Sequence, residues 1–300
     1  MTEITASPNA RPEAAGATGR VVLITGCSSG IGRATALHLI RDGWTVYATA
    51  RRLASISDLE SAGCRALALD VTDERSMADA VGIIEARHGQ VDVLINNAGF
   101  SQSGAIEAVP LDRVRAQFET NVFGPVRLIQ LVLPAMRRAR RGCIVNLSSI
   151  GGKLVFAGGG FYHATKYAVE ALTDSLRFEV QGFGIRVVLI EPGLIRSGFA
   201  DAALSAMDTR PEAQATYGGF HAAVAHVTKE SYEKGPLARL TGTPEDVARV
   251  IAEAITSSSP RTRYTVSASA TVLLTLRRML SDRLWDSFLG RTYPAPGTRE

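Results

Sequence analysis

Short apolar runs that alternate with helical patterns constrain this chain more than any other feature. The runs lie at residues 21–25, 45–49, 65–69, 91–95, 143–147 and 185–190, and a last one lies at 262–266. Continuous apolar strands joined by helical crossovers are typical of a parallel sheet whose two faces are both covered by helices. We therefore predict an α/β fold with a doubly wound parallel sheet in three αβα layers, which binds ligands at the carboxyl ends of its strands.

The composition predicts one globular domain with short extensions. The chain has 300 residues, of which 46% are hydrophobic and 21% are charged, as in ordinary soluble proteins that bury a sizeable core. Residues 1–19 are rich in Ala, Pro, Gly and Thr, and we expect them to be a disordered leader rather than a signal peptide. Residues 20–268 would form the domain, and residues 269–300 a helical tail. No run of eighteen apolar residues exists, which predicts that no helix spans a membrane.

The cysteines and the charges argue against several classes of site. Three cysteines without a CxxC or Cys/His cluster predict neither disulfides nor a metal site, and they fit a reducing cytoplasmic location. The net charge is +4, and the densest basic run spans residues 137–141. That run closes a helical segment, where cations complement the helix dipole. A nucleic-acid patch is the alternative, but no aromatic residues are interleaved, so we expect no nucleic-acid partner.

A glycine-rich turn follows the first predicted strand. Gly26, Gly30 and Gly32 stand in Thr-Gly-Cys-Ser-Ser-Gly-Ile-Gly, directly before an amphipathic helix. Glycines between a first strand and a first helix let the backbone approach a diphosphate, whose charge rests on the helix N-terminus. This is the arrangement of a Rossmann fold that binds a dinucleotide. A Walker phosphate loop is excluded because no Gly-Lys-Ser/Thr follows. Cys27 within the turn is interpreted as a small filler, with a redox role as the alternative.

The end of the second strand bears on the choice of dinucleotide. A protein that prefers NAD is expected to carry Asp or Glu there, to bind the ribose 2′-hydroxyl. This chain has Ala50-Arg51-Arg52 instead. A guanidinium can bind a 2′-phosphate in bidentate fashion, whereas a carboxylate would repel it. We therefore predict a preference for NADP(H), with Arg51 as a contact and NAD(H) as a possible second cofactor.

A tyrosine and a lysine four residues apart indicate acid/base chemistry. Tyr162 and Lys166 would lie on the same side of a helix, with their β-carbons about 5–6 Å apart. A cation beside a phenol favours the phenolate, so the pair could exchange protons near neutral pH. Ser149 stands at the tip of the preceding strand, where its hydroxyl could bond a substrate oxygen. The alternative is a solvated pair on a helix surface. His163 would project about 100° away from Tyr162, so we expect it to be structural.

Together these residues resemble the short-chain dehydrogenase/reductase (SDR) family in its shorter, non-extended form. The resemblance spans about residues 20–193. Its motifs stand in order: Thr25-Gly-x3-Gly-Ile-Gly32, Asp70, Asn96-Asn-Ala-Gly99, Asn121, Ser149, Tyr162-x3-Lys166 and Pro192-Gly193. The resemblance implies that Tyr162 is the acid/base and that Ser149 polarises the substrate carbonyl. Lys166 would bind the nicotinamide ribose and lower the pKa of the tyrosine, and Asn121 would hold a water that relays protons.

The same resemblance implies a set of cofactor contacts. Asp70 and Val71 would contact the adenine, and Asn97 to Gly99 would line the adenosine. Ile195 to Ser197 would meet the nicotinamide amide, although many relatives carry Thr where Ser197 stands. The full set of implied contacts is Gly26, Ser28, Ser29, Gly30, Ile31, Gly32, Arg51, Asp70, Val71, Asn97, Ala98, Gly99, Tyr162, Lys166, Pro192, Gly193, Ile195 and Ser197.

The last third of the chain bears on the substrate. Residues 194–242 lack a strand signal and fall where family members carry a helical substrate lid, and the aromatic and Met side chains there predict an apolar pocket. The tail has leucines at helical spacing with interspersed arginines, and Ser281-Asp282 should divide it into two helices. It could touch a membrane surface, but packing on the lid or on a second subunit is favoured. Lid and tail resemble those of relatives that act on steroids, retinoids and similar lipophilic alcohols or ketones.

The resulting hypothesis is an NADP(H)-dependent oxidoreductase that interconverts a lipophilic ketone or aldehyde and its alcohol. A non-catalytic NADP(H)-binding regulatory protein or redox sensor is the alternative, although a sensor would need only the glycine turn. An epimerase or dehydratase acting on a nucleotide sugar would be expected to have a larger C-terminal domain. Relatives are commonly dimers or tetramers, so we expect a homodimer or homotetramer.

Overall fold

The computed structural model describes residues 20–207 and 210–297. The predicted leader, residues 1–19, lies outside the described residues. The strands are β1 (Val21–Ile24), β2 (Thr45–Ala50), β3 (Arg65–Ala68), β4 (Val93–Asn96), β5 (Gly142–Leu147), β6 (Ile185–Pro192) and β7 (Arg263–Val266). The α-helices are α1 (Gly30–Arg41), α2 (Ser57–Ser61), α3 (Glu74–His88), α4 (Leu111–Phe118), α5 (Gly124–Ala139), α6 (Gly160–Val180), α7 (Phe199–Ser205), α8 (Pro211–Glu233), α9 (Pro244–Thr256), α10 (Ala268–Met279) and α11 (Asp282–Thr292).

The strands described form one sheet in the order β3-β2-β1-β4-β5-β6-β7, and every neighbouring pair is parallel. The chain winds outward from β1 in one direction to β3, then returns past β1 and winds in the other direction. The order therefore reverses between β1 and β4, where such sheets open a crevice at their carboxyl edge. The predicted doubly wound α/β fold is confirmed.

Side chains of the strands feed two cores, one on each face of the sheet. In β1, Val22 and Ile24 pack with α1 and α9 on one face, whereas Val21 and Leu23 pack with α3 and α5 on the other. All four side chains are buried, because a strand in the middle of a three-layer fold is covered on both sides. The helices on the two faces therefore complete the αβα sandwich that the sequence predicts.

The arginine run at residues 137–141 bonds to its own chain. Arg137 and Arg138 lie in the last turn of α5, as predicted for a helix end. The guanidinium of Arg137 lies 5.8 Å from the ring centroid of Phe183, and Arg140 donates to the carbonyl oxygen of Gly182 at 2.8 Å. These contacts fix the end of α5 beside the start of β6. The arginine run thus stabilises a helix end, as the sequence analysis predicts.

The segment between β6 and α9 leaves the sheet and returns to it. Its two ends meet, because the amide of Gly242 donates to Leu194 at 2.8 Å and the amide of Arg196 donates to Gly242 at 2.9 Å. Between them lie α7, α8 and the 3-10 helix Pro236–Leu240. Thr243 then caps α9 in a capping box with Asp246, as the sequence predicts. This helical segment, residues 194–242, thus lies above the carboxyl edge of the sheet, and we call it the lid below.

The tail consists of α10 and α11, so the predicted break at Ser281-Asp282 is confirmed. Its apolar side chains pack on Ile150 and Leu154, which follow β5, and on Leu237 from the segment above the sheet. Trp285 is 4% exposed, and its ring lies 6.0 Å from that of Phe156. The tail therefore packs on both the loop after β5 and the lid. Among the described helices, none combines the length and hydropathy of a membrane span.

We expect Trp285→Ala to destabilise the protein by about 3–5 kcal/mol, because it removes a buried aromatic side chain and leaves a cavity between α11 and the loop after β5. Urea unfolding followed by circular dichroism measures the change. Met279→Ala is the matched control, since Met279 is 78% exposed on the same tail and should shift stability by about 0.5 kcal/mol or less. Equal stability of the Trp285→Ala protein and wild type would contradict this packing role.

Candidate active site

A cavity of about 670 Å³ runs along the carboxyl edge of the sheet. At one end it is lined by the turn after β1 and by Arg51 after β2, and at the other by α8, α10 and α11. The middle is lined by residues that follow β5 and β6. Three strand spacings separate the ends of β2 and β5, which is about 14 Å. The cavity is therefore long enough to hold an extended ligand across the sheet.

The turn after β1 has a shape that only glycine allows at two positions. Gly26 has φ +72°, and a β-carbon there would stand 2.9 Å from the Cα of Ala98. A β-carbon on Gly32 would stand 2.5 Å from the carbonyl oxygen of Gly26, because α1 packs directly on the turn. The helix N-cap, Ser29, makes no side-chain capping bond. The first-turn amides of α1 are therefore available to an anion, and this chain's own residues fit a dinucleotide diphosphate.

Asn97 and Thr25 hold this turn in place. The side-chain amide of Asn97 donates to the carbonyl oxygens of Thr25 at 2.8 Å and Gly26 at 3.1 Å. The hydroxyl of Thr25 accepts bonds from the amides of Asn97 and Ala98, both at 3.0 Å. The Asn-Asn-Ala-Gly motif therefore supports the turn as well as lining the cavity. The sequence analysis did not identify the clamping role of Thr25, which depends on a contact across 72 residues.

At the adenosine end, Arg51 and Asp70 both line the cavity. Arg51 is exposed, whereas one oxygen of Asp70 accepts bonds from the amide and the hydroxyl of Thr72 at 2.9 and 2.8 Å. Arg33, which lies in α1 just after the glycine turn, is bonded to Asp58. The only cation among the predicted cofactor contacts at this end is therefore Arg51.

Ser149 and Tyr162 line the same stretch of the cavity beside the end of β5. The oxygen of Ser149 accepts a bond from the amide of Gly151 at 3.0 Å, so its own proton is free to be donated. Taken alone, the hydroxyl of Ser149 would lower the pKa of Tyr162 and so favour the phenolate. Phe199, the first residue of α7, covers the phenol with its ring 5.5 Å from that of Tyr162. The hydroxyl pair thus stands in a largely apolar part of the cavity.

Lys166 is buried one turn after Tyr162 on α6. Its Nζ donates to the carbonyl oxygen of Leu147 at 2.7 Å and lies 5.8 Å from the centroid of the Tyr162 ring. Burial lowers the pKa of Lys166 to about 8, although Glu170 acts in the opposite direction. The ammonium is therefore mostly protonated at pH 7, inside the cavity that Tyr162 lines.

The expected effect of Lys166 on the tyrosine requires a correction. Burial raises the pKa of Tyr162 to about 12, and the hydroxyl of Ser149 opposes this rise only in part. The reason is that the phenol lies in an apolar cavity while the ammonium is directed to the backbone of β5. In this structure the tyrosine is therefore a neutral hydroxyl that can donate its proton.

His163 fixes the loop between β5 and α6. Its Nε2 accepts a bond from the amide of Phe156 at 3.1 Å, and its Nδ1 lies 3.0 Å from the carbonyl oxygen of Gly151. Burial lowers the pKa of His163, which keeps the ring neutral and suits one donor and one acceptor nitrogen. The structural role expected for His163 is thus seen in its two bonds, which hold the loop that carries Ser149.

Asn121 lies on a π-helical turn, Glu119–Phe123, between α4 and α5. Its side chain accepts a bond from the amide of Phe100 at 3.1 Å, and it donates to the carbonyl oxygen of Phe100 and to the hydroxyl of Thr165 at 2.9 and 3.1 Å. Its amide group is therefore engaged within the chain. Asn121 ties the loop after β4 to α6 and does not line the cavity.

The cavity brings together nearly all predicted site residues. Every predicted catalytic or cofactor residue lines it except Gly32 and Asn121, which support the wall from behind. The sequence analysis missed several lining residues, because helices distant in sequence bring them to the cavity. These are Phe156, Val224, Val227, Thr228, Ser231, Tyr232, Leu237, Leu273, Phe288, Thr292 and Tyr293. Those on α8 recur at helical spacing, which predicts that they share one face of the helix. Spacing alone does not show that this face lines the cavity.

A doubly wound sheet with a glycine turn after β1 and a Ser-Tyr-Lys site after β5 defines a dinucleotide-dependent oxidoreductase. Residues 20–208 match the family model described as short chain dehydrogenase. The chain therefore belongs to the short-chain dehydrogenase family, whose members act on CH–OH groups with a nicotinamide dinucleotide. The match spans β1 to β6, the glycine turn and the residues Ser149, Tyr162 and Lys166.

Individual relatives agree with this assignment. A 3-ketodihydrosphingosine reductase of Bacteroides thetaiotaomicron is 45% identical over 61% of this chain and 66% of that protein, just under two thirds of its length. Bovine retinol dehydrogenase 8 is 35% identical over 87% of this chain and 85% of that protein. A solved structure of serine dehydrogenase complexed with NADP+ is 26% identical, with a TM-score of 0.70 over 82% of this chain and 94% of that one.

We expect Gly32→Ala to abolish dinucleotide binding, because its methyl group would push α1 away from the turn after β1. The dissociation constant for NADP+, measured by isothermal titration calorimetry, should rise by about 100-fold or more. Gly82→Ala is the matched control, since Gly82 also lies in a helix but a β-carbon there would meet nothing within 4 Å. Unchanged NADP+ binding by the Gly32→Ala protein would contradict the role assigned to the turn.

Proposed function

We propose that this protein is an NADP(H)-dependent oxidoreductase that interconverts a ketone or aldehyde and its alcohol on a lipophilic, steroid-, retinoid- or lipid-like substrate. The observation that carries the proposal is that Ser149 and Tyr162 line one cavity, with the ammonium of Lys166 one helical turn from the tyrosine. Two hydroxyl donors in one cavity suit an oxygen that gains negative charge during reduction.

The chain's own residues would manage the proton and the developing charge. In the direction of reduction, Tyr162 gives its proton to the substrate oxygen while the hydroxyl of Ser149 stabilises the charge on that oxygen. The buried ammonium of Lys166 would bind ribose hydroxyls of the cofactor. The nicotinamide, when bound, supplies or accepts the hydride. Oxidation of the alcohol uses the same groups in the reverse order.

The lining of the substrate end supports a lipophilic substrate. Beyond the catalytic pair the cavity wall is largely hydrocarbon and aromatic, contributed by Phe156, Val224, Val227, Leu237, Leu273 and Phe288. Such a wall favours apolar ligands, at roughly 25 cal/mol for each Å² of apolar surface removed from water. The names of two relatives, a 3-ketodihydrosphingosine reductase and a retinol dehydrogenase, point to substrates of the same character.

The adenosine end supports the preference for NADP(H). Arg51 lines the cavity directly after β2, where an NAD-preferring protein is expected to carry a carboxylate. The serine dehydrogenase neighbour, which binds NADP+, is consistent with this preference. The cytoplasmic location and the homodimeric or homotetrameric state stay predictions, as does the proton relay through Asn121.

We expect Tyr162→Phe to lower kcat for reduction of lipophilic ketones and aldehydes by about 10²–10⁴-fold, because it removes the proton donor. The absorbance of NADPH follows the reaction, and binding of NADP+ should be unchanged. Tyr167→Phe is the matched control, since Tyr167 lies on the same helix but is 44% exposed. Retention of full activity by the Tyr162→Phe protein would refute the catalytic assignment.

We expect Arg51→Ala to lower kcat/KM for NADPH by about tenfold, because a charge-assisted bond to the 2′-phosphate is lost. The value for NADH should stay nearly unchanged, since that cofactor lacks the phosphate. Arg52→Ala is the control, because Arg52 is the exposed neighbour and does not line the cavity. Steady-state kinetics with both cofactors decide. An equal loss for NADPH and NADH, or a wild type that prefers NADH, contradicts this role.

A further inference from the structure

One face of α8 forms a long side of the substrate end of the cavity. The lining residues of this helix are Val224, Val227, Thr228, Ser231 and Tyr232, which recur at intervals of three and four. The two valines are apolar, and the hydroxyl of Ser231 donates to the carbonyl oxygen of Val227 at 2.7 Å. Tyr232 therefore carries a hydroxyl on this face that is not used by the helix itself.

The side chain of Tyr232 is half-buried, and its hydroxyl makes no hydrogen bond within residues 20–207 and 210–297. The hydroxyls of three other tyrosines do bond to the chain, namely Tyr47, Tyr217 and Tyr264. Burial raises the pKa of Tyr232, and a negative charge on Tyr162 would raise it further. Tyr232 therefore stays a neutral hydroxyl that can both donate and accept a hydrogen bond.

A second tyrosine reaches the cavity from a different element. Tyr293, directly after α11, lines the same cavity, and burial raises its pKa to about 12. Its hydroxyl also makes no hydrogen bond to any residue in the described part of the chain. The lid and the tail therefore each contribute one half-buried phenol to the cavity wall. A ligand in the cavity can use both hydroxyls as hydrogen-bond donors or acceptors.

We propose that the hydroxyls of Tyr232 and Tyr293 form a polar subsite that hydrogen-bonds a second oxygen or nitrogen group of the substrate, away from the reacting carbonyl. The inference rests on the proposed function and narrows its substrate class to lipophilic ketones and alcohols with a second polar group. A site that bonds a substrate hydroxyl discriminates against the analogue lacking it, because the phenols are then left without a partner.

The test compares methyl decyl ketone with the same ketone carrying one hydroxyl beside the carbonyl, at mid-chain or at the far end. Isothermal titration calorimetry with NADP+ present gives each dissociation constant, and NADPH oxidation gives kcat/KM. Wild type should bind at least one hydroxyketone about tenfold or more tightly than the parent ketone. Equal binding of the parent and all hydroxyketones overturns the inference.

Tyr232→Phe should abolish this preference while the dissociation constant of the parent ketone stays within about twofold. Tyr293→Phe should reduce the preference as well. Tyr217→Phe is the matched control on the same helix, because its hydroxyl bonds to Glu107 and it does not line the cavity. This control should keep the wild-type preference.

Two results would show that Tyr232 serves packing instead of recognition. One is an equal loss of binding for parent ketone and hydroxyketone in the Tyr232→Phe protein, and the other is a clear fall in its thermal unfolding midpoint. A preference that survives Tyr293→Phe removes that residue from the subsite. Turnover separates the two proposals: selective binding without any NADPH oxidation defeats the proposed function, whereas turnover without selectivity defeats only the subsite.

Discussion

The docking of α6 on the end of β5 is the constraint on which the site depends. Buried side-chain hydrogen bonds cross this contact. Asn96 donates to Asn146, and Asn146 donates to Thr173, both at 2.9 Å. The bond from Lys166 to Leu147 fixes the same helix about two turns earlier. These bonds replace water inside a dry interface, so they set the position of α6 closely. The position of Tyr162 over Ser149 follows from it.

The two halves of the sheet's carboxyl edge supply different chemical groups. The half around β1 and β2 supplies backbone amides and a guanidinium, which are groups that bind phosphate. The half around β5 and β6 supplies hydroxyls and a buried amine, which are groups that move protons. The lid and the tail then close the second half with apolar side chains, and Trp285 links them to the loop that carries Ser149. The lid and the tail, together with the sheet, therefore form the wall of this half of the cavity.

The sequence predicted which residues line the cavity better than it predicted their electrostatics. Spacing on a helix placed Tyr162 and Lys166 on one side, and the structure puts both in the cavity. Spacing could not give the pKa of the phenol, because burial is the largest influence on it and the ring of Phe199 covers it from a distant segment. Asn121 shows the same limit. Its bonds to Phe100 and Thr165 span 21 and 44 residues, so no local sequence pattern predicts them.

The sequence by itself determined the order of strands and helices, the glycine turn and the chemical types at each strand end. Those features follow from backbone conformation and from the periodicity of apolar residues, which are local properties. Only the tertiary structure decided which hydroxyls of the lid and tail face the cavity, and which way burial moves the pKa values of Tyr162 and Lys166. These depend on how distant segments pack and exclude water, and desolvation is a property of the whole assembly of side chains.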